Sequence, residues 1–463
     1  MRRQTATRVG VSLLAAVLFA EPALAHVGGL SGGTGGNVPT WLTIGTGGVI
    51  VGASFLFTSL LTDHEAIVNA WHLHARVPGS ARSALTWAVR AAGIAVLALV
   101  LASGFFGPNR SSAALFTPTE SFAIMVVWAG WWAGYVMSVY LIGNTWPALN
   151  PWRALVALLP RLRRREYPER LGAWPAVAGL LALVWIEVVS PVAQAPQLLA
   201  TVVLGYTVVT LAGVALYGAD AWFDRVDPIA RALRAYGWIA PFQRTGDGIA
   251  LTLPTTALAD HRLREEPGAA AFVVALLWVT TYDGLVATPT WEAAITPLVE
   301  AGIPALPIYF LAIVTGFCLF YRVYKTASRK ARETAGTYVT AAYLARYFAP
   351  ALLPIAAGYH VAHFLGYLLS LLPALIAVLP HPLSAPPYSY VLSVPDWFGI
   401  VGVLLVLLGH VLAIWIAHAR SFELFPGVFK PIRSQYPLTV VMIFYTMASL
   451  WVVVQPFGAP PYV

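Results

Sequence analysis

Two of the most apolar stretches of the chain carry four histidines. GYHVAHFLGYLL, residues 358–369, holds His360 and His363, and LVLLGHVLAIWIAHAR, residues 405–420, holds His410 and His418. An ionisable side chain at membrane depth is costly, so it marks a functional position by default. Imidazole binds transition metals, takes up and gives protons near neutral pH, and serves as an axial ligand to haem. His360 and His363 are three residues apart and share one helix face. Read outward along one span and inward along the next, His363 and His410 each fall roughly 20 Å below the outer surface at ~1.5 Å per residue. Three imidazoles around one ion, with a coordination position left open, form the ligand set of a catalytic zinc site. His360, His363 and His410 are therefore the candidate metal ligands, for zinc or copper. His418 lies about 12 Å further along the helix axis and is expected at the cytoplasmic interface beside Arg420. Three readings stay open for the cluster: a metal or haem site, neutral histidines bonding across helices, and a proton or substrate path.

Carboxylates are scarce in the same regions. Glu187 in VWIEVVSP and Asp283 in TTYDGLVATP fall near the outer ends of their spans, roughly 10 Å above the histidine plane. They are candidates for a general base or for the lining of an outer vestibule, and less so for direct metal ligands. His26 would become the first residue if a leader were removed after Ala25, and its amine and ring could then hold a copper ion together. His64, His72 and His74 fall in a loop. No phosphate-binding glycine loop, GxSxG or HExxH occurs.

The elements that must position these groups follow from composition. Of 463 residues 59% are hydrophobic and only 10% charged, against about 25% charged in soluble domains. An all-α, polytopic transmembrane helix bundle is expected, embedded in a lipid bilayer. Residues 1–25 read as a signal peptide, with a basic start, an apolar core and an Ala23-Leu24-Ala25 cleavage site. Residues 26–42 form a glycine-rich extracytoplasmic segment, 43–456 the membrane domain and 457–463 a short outer tail. Ten spans are expected, at 43–62, 84–104, 121–143, 172–190, 197–218, 270–288, 303–322, 352–377, 397–418 and 436–455. The loops on one side hold nearly all Lys and Arg, and the opposite loops only Arg110. This asymmetry places both mature termini outside a plasma membrane. The net charge of +8 thus reflects topology, not nucleic-acid binding. The 219–269 loop is expected to form short surface helices and 338–351 an interfacial helix. The many Trp and Tyr suit interfacial anchoring. The lone Cys318 excludes an intrachain disulfide.

Several stretches together carry a resemblance: NPWRAL (150–155), YPERLGAWP (167–175), LGYTVVTLAG (204–213), TYDGLVATPTW (281–291), GYHVAHFLGYLL (358–369), GHVLAIWIAHA (409–419) and SQYPLTVVMIFYTMASLWVVVQP (434–456). From about residue 40 to the end the chain resembles the polytopic prokaryotic membrane proteins described as fenitrothion hydrolase-like. The resemblance implies hydrolysis of an organophosphorus triester, a small lipophilic substrate that partitions into bilayers. A bound metal would activate water and polarise the phosphoryl oxygen. The alternatives are a copper-handling or transport protein using His26 and the membrane histidines, and a haem-binding electron-transfer subunit with His363 and His410 as axial ligands and a partner subunit.

Overall fold

Several helices begin at a short polar residue followed by proline, the pairing that supplies an N-cap acceptor and a pre-set first helical residue. Asn150-Pro151, Asp227-Pro228 and Thr288-Pro289 each place the side-chain oxygen on the backbone N–H three residues on, at Arg153, Ala230 and Trp291. The NPW and TPTW stretches are thus, locally, helix starts. The computed structural model describes residues 40–62, 72–76, 79–109, 116–158, 164–245, 248–260, 263–395, 397–455 and 458–463. The expected signal peptide, His26, His64 and most of the glycine-rich segment lie outside them.

The chain is an all-α helix bundle, and each of the ten expected spans corresponds to a helix. These are α1 (Thr40–Ser59), α2 (Gly79–Phe106), α3 (Phe122–Leu141), α4 (Trp174–Val189), α5 (Pro196–Tyr217), then α7 (Ala269–Val286), α9 (Ala305–Ala335), α11 (Leu353–Val378), α12 (Phe398–Leu424) and α13 (Phe429–Val453). Among the described residues nine apolar helices are long enough to cross a membrane, and α4 is a shorter apolar one. Between them lie α6 (Pro228–Gly237), α8 (Pro289–Glu300) and α10 (Ala341–Phe348). The last falls where the interfacial helix was expected. The 219–269 loop departs from expectation by also forming strands. Phe242–Arg244 and Gly248–Thr252 pair antiparallel, and His72–Arg76 adds to the far edge of the second. The loop holding His72 and His74 is thus in part a strand, its backbone groups paired across the sheet.

Glycines set how closely the helices approach. A Cβ on Gly409 of α12 would lie 2.4 Å from the Pro354 carbonyl oxygen, and one on Gly358 of α11 would lie 2.7 Å from the Leu405 carbonyl oxygen. Small residues at such crossings allow backbone-to-backbone contact, the usual route to tight association where lipid supplies no hydrophobic drive between helices. At α1 and α13 the missing Cβ of Gly47 makes room instead for the Leu450 side chain.

Candidate functional site

The helix α3 is not wound uniformly. Its middle, Val126–Tyr135, is a π-helix of sequence VVWAGWWAGY. π-winding inside α-helices is rare and concentrates at functional sites. Here it carries Trp128, Trp131 and Trp132 into a cavity of about 300 Å³ inside the bundle. Trp146, Trp152, Tyr206, Tyr236 and Phe364 complete an almost wholly apolar, aromatic wall. Ring centroids run in series: Trp132 to His360 at 5.5 Å, Trp131 to Trp146 at 5.8 Å and Trp152 to Tyr206 at 4.9 Å. The abundance of Trp suits interfacial anchoring. These tryptophans line the interior instead, and the signal for it was their density in WAGWWAG, two small spacers between bulky rings.

Four of the sequence-chosen residues meet at this cavity: Glu187 from α4, Asp283 from α7, and His360 and His363 from α11. The carboxylates are not on a separate level. His363 Nε2 lies 3.5 Å from Asp283 Oδ2, and Glu187 is close enough to interact electrostatically with Asp283. Counting residues along parallel spans of equal length separates the carboxylates from the histidines, but α4 is between one and two turns shorter than α3 and α5. His360 is 1% exposed and shares a 3.0 Å hydrogen bond between its Nδ1 and the Tyr140 hydroxyl, while its Nε2 has no partner. Tyr140 and Tyr236 pack on this imidazole, a pair that no pattern in the sequence singles out.

His410 does not line the cavity. It is fully buried in α12, and its Nδ1 donates to the Val406 carbonyl one turn back at 2.8 Å. The reason is helical phase: Gly409 takes the face against α11, so the next residue turns aside. Among the described residues no three His, Cys, Asp or Glu gather closely enough to hold a metal ion. With His410 turned away from His360 and His363, the residues present do not fit a three-histidine zinc or copper centre. A haem bridging His363 and His410 draws no support from this cavity, since only His363 reaches it. His418 is enclosed by protein. It is 0% exposed, bonded to the Leu61 carbonyl at 2.9 Å and to Gln435 Oε1 at 3.2 Å.

The floor of the cavity is α6, through Pro228, Ile229, Leu233 and Tyr236. Its N-cap, Asp227, accepts from the Tyr206 hydroxyl at 2.7 Å and from Ala230 N–H at 2.8 Å. Burial pushes the Asp227 carboxyl up, against the lowering effect of those bonds. An ion-pair cluster ties this floor to the basic side of the bundle, with Arg231 on Glu266 at 2.7 Å and Arg225 on the same carboxylate at 3.8 Å. Burial also draws the Arg231 guanidinium down, with Glu266 opposing. No family model, curated protein or solved structure matches this chain.

Proposed function

We propose that the protein is a prokaryotic plasma-membrane hydrolase that takes a small lipophilic ester into the aromatic cavity, an organophosphorus triester being the class implied by the resemblance of its motifs. The observation that carries this reading is the Asp283–His363 pair on the wall of an otherwise apolar void. A neutral, hydrophobic substrate is suited to such a lining and reaches it from the bilayer. His363 takes a proton from a water molecule as the water oxygen bonds to phosphorus. The bond from phosphorus to the leaving oxygen breaks, and the proton on His363 passes to that oxygen. Asp283 holds the imidazole in the required tautomer and offsets its transient positive charge, the division of labour seen wherever a carboxylate backs a catalytic histidine. Glu187 stands on the same wall as the group that orders water. The basic loops would face the cytoplasm and both mature termini the outside.

The test uses full-length protein in detergent and in liposomes, with release of nitrophenolate from a nitrophenyl phosphotriester followed by absorbance. Wild type should turn over, and His363→Ala and Asp283→Asn should each lose roughly 100-fold to 10,000-fold in rate. Absence of turnover in wild type, or a His363→Ala protein as fast as wild type, would sink this reading.

A further inference from the structure

The charges around the cavity do not balance. Among the described residues no Lys or Arg lines it, whereas two carboxyl groups do. One of them, Asp283, is paired with His363 at 3.5 Å. Glu187 is left with no cationic partner among the described residues, its nearest charged neighbour being another carboxyl. A carboxylate kept from water costs several kcal/mol unless something positive offsets it. In the absence of a protein cation, that role falls to a proton or to a ligand.

The rest of the wall says which ligand. Trp131, Trp132, Trp146, Trp152, Tyr206 and Tyr236 surround the void, and electron-rich ring faces attract cations, tryptophan most strongly. Aromatic boxes of this kind recognise alkylated ammonium groups. A second, separate observation lies on the same wall: His360, 1% exposed, has no hydrogen-bond partner for its Nε2 among the described residues and, unlike the likewise unpartnered Nε2 of His410, belongs to a ring that lines the cavity. We infer that the cavity binds a lipophilic organic cation, an amine or quaternary ammonium with an aromatic or alkyl body, with Glu187 as its counter-ion and the tryptophans of the π-helical segment as its box.

This shares the cavity with the hydrolase reading but rests on charge instead of turnover. The experiment is isothermal titration of the full-length protein, in an uncharged detergent, with benzyltrimethylammonium and with neopentylbenzene. The second compound has the same shape with carbon in place of nitrogen and carries no charge. Wild type should bind the cation roughly tenfold tighter or more. Glu187→Gln should bring the two affinities close to parity while the neopentylbenzene affinity stays within about twofold, which also reports that the cavity is intact. Asp283→Asn should keep most of the cation preference, because Asp283 is already paired with His363 and Glu187 is not. Equal affinities in wild type, no binding of either compound, or a cation preference that survives Glu187→Gln would each overturn the inference. A protein that prefers the cation yet hydrolyses no ester would remove the hydrolase reading and keep this one. The converse result would do the opposite.

Discussion

The two histidine pairs differ less in sequence than in what surrounds them. His360 and His363 sit on α11 in an apolar run, and His410 and His418 sit on α12 in another. The first pair opens on a void shared with Asp283 and Glu187. The second is closed in by protein. His410 spends its Nδ1–H on its own helix, and His418 joins the end of α1 to Gln435 of α13. Arg420 beside it, 0% exposed, donates to the carbonyls of Leu258 and Ala259 and lies over the Tyr347 ring. Buried polar groups that bond to neighbouring helices fix which helices sit side by side. An ionisable residue at membrane depth is therefore of two kinds, and the difference is whether it faces space or partners. The costliness of charge in a bilayer predicts that both kinds will be rare, but not which is which.

The contrast depends on α11 and α12 being in backbone contact, so the most direct way to break it is at their crossing. Gly409→Leu drives a side chain into the Pro354 carbonyl, 2.4 Å from where the first added carbon would stand. Backbone cannot yield there as a side chain would. The variant should lose roughly 3 kcal/mol or more of stability, read as a large drop in thermal unfolding midpoint or as loss of monodisperse protein in detergent. A wild-type midpoint would mean that the helices are not in contact here and that the two pairs are not held apart as described.

The histidines themselves sharpen the comparison. His418→Ala removes two hydrogen bonds between helices and should cost about 1–2 kcal/mol, seen in the unfolding midpoint, while leaving the cavity's ligand preference and any turnover unchanged. His363→Phe should do the reverse, abolishing turnover while the protein stays folded and monodisperse in detergent. The informative outcome is the crossing of the two effects. If His418→Ala proved as inactive as His363→Phe while remaining folded, the division into an open pair and a structural pair would be wrong.

How much of this was legible beforehand divides along the same line. The ten helices followed from runs of apolar residues, because a bilayer imposes length and composition on anything that crosses it. Four of the cavity's residues followed from their being ionisable in the wrong solvent. What could not be read was rotation. His410 differs from a cavity residue only in phase about α12, and that phase is set by the contact of Gly409 with Pro354 and Gly358 on another helix. Nor could the π-turns of α3 be read, since VVWAGWWAGY is as compatible with ordinary α-winding. The tryptophans were visible but assigned to the surface, where statistics put them. The three-stranded sheet was missed because its strands are three to five residues long and one comes from a distant loop.

The smallest expected effect concerns a carboxyl that has partners, and it tests the same distinction from the other side. Asp227 lies outside the spans under the cavity floor, caps α6 and accepts from Tyr206. Burial raises its carboxyl above the ordinary value of 3.8, so the folded protein holds this proton more tightly than the unfolded chain does. Above pH 3.8 the unfolded form releases its proton first, and stability then falls with rising pH until the folded form has released its own. Asn caps a helix as well as Asp and keeps an oxygen for Tyr206 and Ala230, but it has no proton to lose. Asp227→Asn should therefore flatten the decline of the unfolding midpoint as pH rises from about 4 towards neutrality, by under about 1 kcal/mol given the bonds that already support the charged form. The same scan on Glu187→Gln should show a larger change in an empty cavity, because Glu187 has no such bonds. If Asp227→Asn leaves the pH profile untouched while Glu187→Gln alters it, the partners of Asp227 fully offset its burial. If neither profile moves, facing a void carries no cost here, and the distinction between the two kinds of buried polar residue fails.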